Sequence, residues 1–125
     1  MFGFKTGGST ADTHEVSDFE KDVIEQSHMR PVLVDFWAPW CGPCRMLGPT
    51  LEKLAADQDD FDLVKVNTDR HPQLAMEYGI RGIPAVKLFH KGRVVDDFTG
   101  ALPAFYVKQW LGHHLERLSE TDPQA

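Results

Sequence analysis

Cysteine is scarce in this chain: there are two among 125 residues, Cys41 and Cys44. Two thiols so close in sequence cannot staple distant parts of a fold, and a loop that small removes little unfolded-state entropy. A scaffold built on disulfides is therefore excluded, and such sparse cysteine use fits a reducing cytosol. Positive charge is also in deficit, with 13 Lys and Arg against 19 Asp and Glu, a formal net charge of −6. That balance argues against a general affinity for nucleic acid or for an anionic membrane surface. No apolar run approaches the roughly 20 residues that a membrane span needs. The opening Met1-Phe2-Gly3-Phe4-Lys5-Thr6 has no continuous apolar stretch of the secretory kind, so a cytoplasmic chain is expected. No flavin or nicotinamide fingerprint appears, and no cofactor is expected.

What is present reads as one domain of ordinary composition, 42% hydrophobic and 26% charged. Residues 1–11 are small, Gly-rich and polar, and are expected to form a flexible arm; 119–125 are expected to be a flexible tail. Between them, 12–118 carry the fold. A short edge strand at His14-Glu15-Val16 precedes Ser17-Asp18-Phe19-Glu20, which matches a capping box for a helix reaching about His28. Val32-Leu33-Val34-Asp35-Phe36-Trp37-Ala38 is nearly continuous in apolar residues, as a central strand covered on both faces should be. A helix from about Cys41 carries Met46, Leu47, Leu51, Leu54 and Ala55 at helical spacing, with Pro49 expected to kink it. Alternation over 61–67 gives a strand, 71–78 a short helix, and 85–89 and 94–98 a hairpin about Lys91-Gly92. A last helix from about Pro103 buries Val107, Trp110, Leu111 and Leu118. The order β-α-β-α-β-α-β-β-α implies a mixed sheet of five strands with helices on both faces.

The chemistry is concentrated at Trp40-Cys41-Gly42-Pro43-Cys44. A Cys-x-x-Cys that opens a helix sets its first sulfur beside unpaired N–H groups and the positive end of the helix dipole. That favours the thiolate, which is the nucleophile of disulfide exchange, and the second sulfur can resolve a mixed disulfide. The rival reading is half of a zinc site, which needs a second Cys or His pair. The only adjacent histidines, His113 and His114, fall on the last helix, expected far from the cysteines. Asp35, in the middle of an apolar strand, should be paired, hydrated or raised in pKa. Lys65 on an alternating strand is, on its own, an ordinary solvated lysine; the remaining histidines read as surface residues.

Val34 to Arg45, Pro49, Tyr78-Gly79-Ile80-Arg81-Gly82-Ile83-Pro84, the Lys91-Gly92 turn and Gly100-Ala101-Leu102 together resemble the thioredoxin family, in unbroken order over about 12–116. The resemblance implies the thioredoxin fold and a dithiol–disulfide oxidoreductase that reduces protein disulfides. It makes Cys41 the attacking thiol, Cys44 the resolving thiol, Asp35 the buried carboxylate beneath them and Lys65 its neighbour across the sheet. Ile83-Pro84 is implied to be a cis bond facing the disulfide, and Trp40, Gly82, Ile83, Pro84, Gly100 and Ala101 to form the substrate-binding rim. Partners are then protein disulfides and a separate thioredoxin reductase, with the protein a monomer. The Gly42-Pro43 pair resembles that of the reducing members, whose potential lies near about −270 mV. Thr68 and Ala85 depart from the family's usual apolar residue and threonine, which bears on partner range. A thioredoxin-like chaperone or protein-binding module, with redox turnover secondary, is the alternative.

Overall fold

The computed structural model describes residues 13–121, so the expected arm at 1–11 lies outside the described residues. Strands β1 (Thr13–Glu15), β2 (Val32–Trp37), β3 (Asp62–Asn67), β4 (Ala85–His90) and β5 (Arg93–Thr99) form one sheet in the order β1-β3-β2-β4-β5. β1 and β2 run parallel to β3; β4 is antiparallel to both β2 and β5. The expected mixed five-stranded sheet is thus present, and β2 is its centre.

Strand alternation sorts the core into two layers. Leu33, Leu63, Val86 and Leu88 face helices α1 (Gly42–Asp57) and α3 (Ala104–Thr121), which contribute Leu47, Leu51, Ala55, Val107, Leu111 and Leu118. Val32, Val34, Phe36, Val64, Val66 and Phe89 face the opposite way, against the first helical segment and α2 (Pro72–Glu77). There Phe19, Phe36, Tyr78 and Phe89 stack edge to face or tilted, with centroids 5.4 to 6.2 Å apart. Because Asp35 follows Val34 and precedes Phe36, alternation turns it to the side that α1 covers.

The first helical segment differs from the regular helix expected. It is a π-helical stretch, Glu20–Glu25, followed by a 3₁₀ turn, Gln26–His28. The irregular winding brings the fully buried Ser27 to the β4–β5 turn. Ser27 Oγ donates to Ile24 O at 2.7 Å and accepts from Gly92 N at 2.8 Å, while Ser27 O accepts from Lys91 N at 2.9 Å. Its start is capped by other residues than Ser17 and Glu20. Asp18 Oδ1 accepts from Lys21 N at 3.2 Å, and Asp22 Oδ2 reaches back to Ser17 N at 2.9 Å.

The β4–β5 hairpin is as expected, with Lys91 (φ 57°) and Gly92 (φ 81°) both left-handed, as a two-residue hairpin turn requires. α1 continues through Pro49 as one helix. α3 extends past Leu118 to Thr121, so the start of the expected tail at 119 is helical, anchored by buried Leu118; residues 122–125 lie outside the described residues. His90, read as a surface residue, is in fact buried, and so is His114 on α3.

Candidate active site

β2 ends at Trp37 and hands the chain to a tight turn in which Cys41 N donates to Ala38 O at 3.1 Å. Cys41 is the N-cap of α1, in extended conformation at φ −86°, ψ 110°. Its sulfur accepts from Cys44 N at 3.2 Å, doing for the helix what a capping oxygen does elsewhere. Pro43 fits the first turn because the N–H it lacks would have no intrahelical partner there. Cys41 and Cys44 are joined as a disulfide, both nearly buried, packed with Ala38, Trp37 and Ile83. The helix N-terminus that holds Cys41 Sγ would stabilise a thiolate there once the bond is reduced.

The loop before β4 comes to this sulfur. Ile83-Pro84 is cis, and Ile83 O lies 3.8 Å from Cys41 Sγ. Gly100 N donates to Pro84 O at 2.7 Å, drawing the end of β5 against the same loop. Gly100 adopts φ +102°, a conformation open to glycine and strained for other residues, and this lets the chain turn out of β5. Ala101 follows, exposed. Trp40 is 68% exposed, yet its indole N–H is held by Asp69 at 3.1 Å. Thr68, noted as a departure from the family pattern, donates its hydroxyl to Trp37 O at 3.1 Å and so ties β3 to the end of β2.

Asp35 is 1% exposed, and its Oδ1 has no hydrogen-bond partner. Burial pushes its carboxyl up to about 7; the Lys65 ammonium pulls it down, and the Glu15 and Glu52 carboxylates push it further up. Lys65 is its register partner on β3. Its ammonium, however, is bonded to Glu52 Oε2 on α1 at 2.9 Å and lies 5.0 Å from the centre of the Trp37 ring. Trp37 in turn donates its indole N–H to Glu15 Oε2 at 2.7 Å.

The sequence singled out the cysteines and Asp35, and the resemblance singled out Lys65 and the loops about Pro84 and Gly100; the fold brings the Pro84 loop to the disulfide and the Gly100 loop against the Pro84 loop. It missed Glu15, Glu52 and Asp69. A signal for Glu52 existed: Cys44, Gly48 and Glu52 recur every fourth residue and so share one face of α1. Among the described residues no group of three or more His, Cys, Asp or Glu side chains could hold a metal ion. His113 and His114 lie on α3, where His114 Nε2 meets Asp96 Oδ2 at 2.7 Å.

Comparison with known proteins agrees with this geometry. The thioredoxin family model matches residues 10–113. Thioredoxin of Griffithsia pacifica is 48% identical over 101 residues, covering 80% of this chain and 91% of that protein. Thioredoxin 1 of Synechococcus elongatus is 48% identical over 98 residues, covering 78% and 90%. The chloroplastic M-type thioredoxin of Chlamydomonas reinhardtii is 43% identical over 99 residues, covering 78% and 70%. The crystal structure of Malassezia sympodialis thioredoxin superposes with a TM-score of 0.75 at 32% identity, covering 86% of this chain and 94% of that one.

Proposed function

The chain belongs to the thioredoxin family, and from that premise we propose how its residues carry out the family's reaction. It is a dithiol–disulfide oxidoreductase that reduces protein disulfides. The reduced protein attacks through the Cys41 thiolate. A mixed disulfide forms between Cys41 and one substrate sulfur, and the other substrate sulfur leaves as a thiolate. Cys44 then attacks Cys41 Sγ, expelling the second substrate thiolate and closing the disulfide seen here. Two electrons pass to the substrate, and a separate reductase restores the dithiol.

Cys44 has to lose a proton before it attacks. Asp35 accepts that proton, directly or through one water, because a carboxyl near 7 is matched to a neutral working pH. Lys65 tempers its charge. Substrate is taken to lie along Gly82, Ile83, Pro84, Gly100 and Ala101, with Trp40 at the side, a reading supported by the Cys41 Sγ contact with Ile83 O. The reading treats residues 12–118 as one such domain, acting as a monomer in a reducing compartment such as the cytosol. No described helix is long and apolar enough to cross a membrane.

The observation that carries this reading is a disulfide capping α1 with its leading sulfur against a cis-proline loop. Reduction of insulin disulfides by the protein with a dithiol donor tests it. Cys41→Ser should abolish turnover, and Cys44→Ser should accumulate mixed disulfides through Cys41. If Cys41→Ser traps substrate equally well, the two roles are reversed.

A further inference from the structure

Asp35 and Lys65 stand opposite each other on adjacent strands, on the face that α1 covers. A buried carboxylate and an ammonium so placed would ordinarily pair, since opposite charges attract strongly away from water. They do not pair here. Lys65 Nζ is held by Glu52 Oε2 at 2.9 Å, from a side chain that is 46% exposed. The ammonium lies over the Trp37 ring and against Gly48, where a methyl would come within 3.6 Å of it. The ring that supports it is itself held by Glu15. Asp35 Oδ1 is left with no hydrogen-bond partner.

The groups around Asp35 can be named element by element. β3 supplies Lys65, β1 supplies Glu15 and α1 supplies Glu52. β4 supplies its register partner Val86, which is apolar. Only one of these groups, Lys65, would stabilise the ionised carboxylate, and its long stem lets it reach more than one acceptor. Where the ammonium resides thus sets how basic Asp35 is.

We propose that Glu52 is a positioning residue for the resolving step: it holds the Lys65 ammonium away from Asp35, leaving that carboxylate unpaired to accept the Cys44 proton. The inference rests on the reading that Asp35 is the acceptor. A salt-bridged Asp35 would be too weak a base near neutral pH, whereas an unpaired one is not. Glu52 acts through Lys65 and touches neither sulfur nor substrate.

The oxidised protein is the right form to test, because its cysteines do not titrate. The carboxyl carbon of Asp35 is followed by NMR across acid and neutral pH in the native chain, in Glu52→Ala, in Lys65→Met and in the double variant. Glu52→Ala frees the ammonium to turn to Asp35, and the transition should fall by about one pH unit. Glu52→Gln, which keeps an acceptor without the charge, should give a smaller fall. In the Lys65→Met background, removal of Glu52 should move the transition much less, since the partner it positions is gone. No movement on removal of Glu52, or equal movement with and without Lys65, would overturn the proposal. The underlying reading fails separately: Asp35→Asn would then leave the pH profile of mixed-disulfide resolution unchanged.

Discussion

His114 Nε2 lies 2.7 Å from Asp96 Oδ2, joining α3 to β5 through a histidine that is 9% exposed. The same oxygen accepts the Trp110 indole N–H at 2.9 Å. Arg117 Nη2 lies 3.0 Å from His114 Nδ1. A guanidinium can only donate, so Nδ1 is the acceptor and Nε2 carries the proton given to Asp96. The helix is thereby bolted to the sheet by one carboxylate serving two aromatic donors. Burial works against ionised Asp96, but hydrogen bonds from Trp110, the Asp97 backbone and His114 hold its carboxyl below the usual carboxylate range.

Asp96→Ala should therefore leave two donors on α3 without an acceptor. An unsatisfied buried donor costs about 1–3 kcal/mol, and a loss in that range is expected in urea unfolding. Amide exchange should accelerate in α3 more than in β2 if the bolt is local. Since the folded pKa is lowered, the contribution of Asp96 is present above the unfolded value and is lost as acid protonates it. Asp96→Asn, which keeps one oxygen acceptor, should lose less.

Asp35 makes the opposite pH signature. Its folded value is about 7 against an ordinary 3.8, so the folded protein binds more protons between the two. Stability must then fall as pH rises from about 4 to about 7, and stay low above that. At about 1.4 kcal/mol for each pH unit, the penalty reaches up to about 4 kcal/mol. Asp35→Asn should remove this dependence, being more stable than the native chain at pH 8 and not at pH 4, at both ends of that window. Equal unfolding midpoints for the two proteins at alkaline pH would contradict the raised value.

Gly48 sits inside α1, where glycine is costly. A methyl there meets Lys65 Nζ at 3.6 Å, an ordinary contact. Gly48→Ala should raise stability by about 0.5–1 kcal/mol in urea unfolding. A loss instead would mean that the ammonium depends on the bare face of the helix.

Much of this protein was legible before any coordinates. β2 announced itself as an apolar run, β3 by alternation, and the hairpin by Lys91-Gly92, because each is a pattern of neighbouring residues. Ser17-Asp18-Phe19-Glu20 misled: Ser17, Asp18, Glu20 and Asp22 all compete to cap one helix start, and only the chain's exit from β1 selects Asp18 and Asp22. The π and 3₁₀ winding that follows answers to Ser27 meeting Lys91 and Gly92, far along the chain, so no local signal carried it. The role of His114 as a tie between α3 and β5 was not legible because its partner, Asp96, belongs to another element.

By itself the sequence determined where the central strands run and that Cys41 opens α1, since periodicity, capping and proline placement act within a few residues. It also placed a carboxyl in the central strand. Only the tertiary structure decided what that carboxyl meets. The β2–β3 register sets Lys65 opposite Asp35, and the approach of α1 gives the lysine Glu52 instead. Likewise the Pro84 loop reaches the disulfide, and the Gly100 loop reaches Pro84, only when β4 and β5 join the sheet. A long charged side chain chooses among partners that lie close in space and far apart in sequence, and that choice is made by packing.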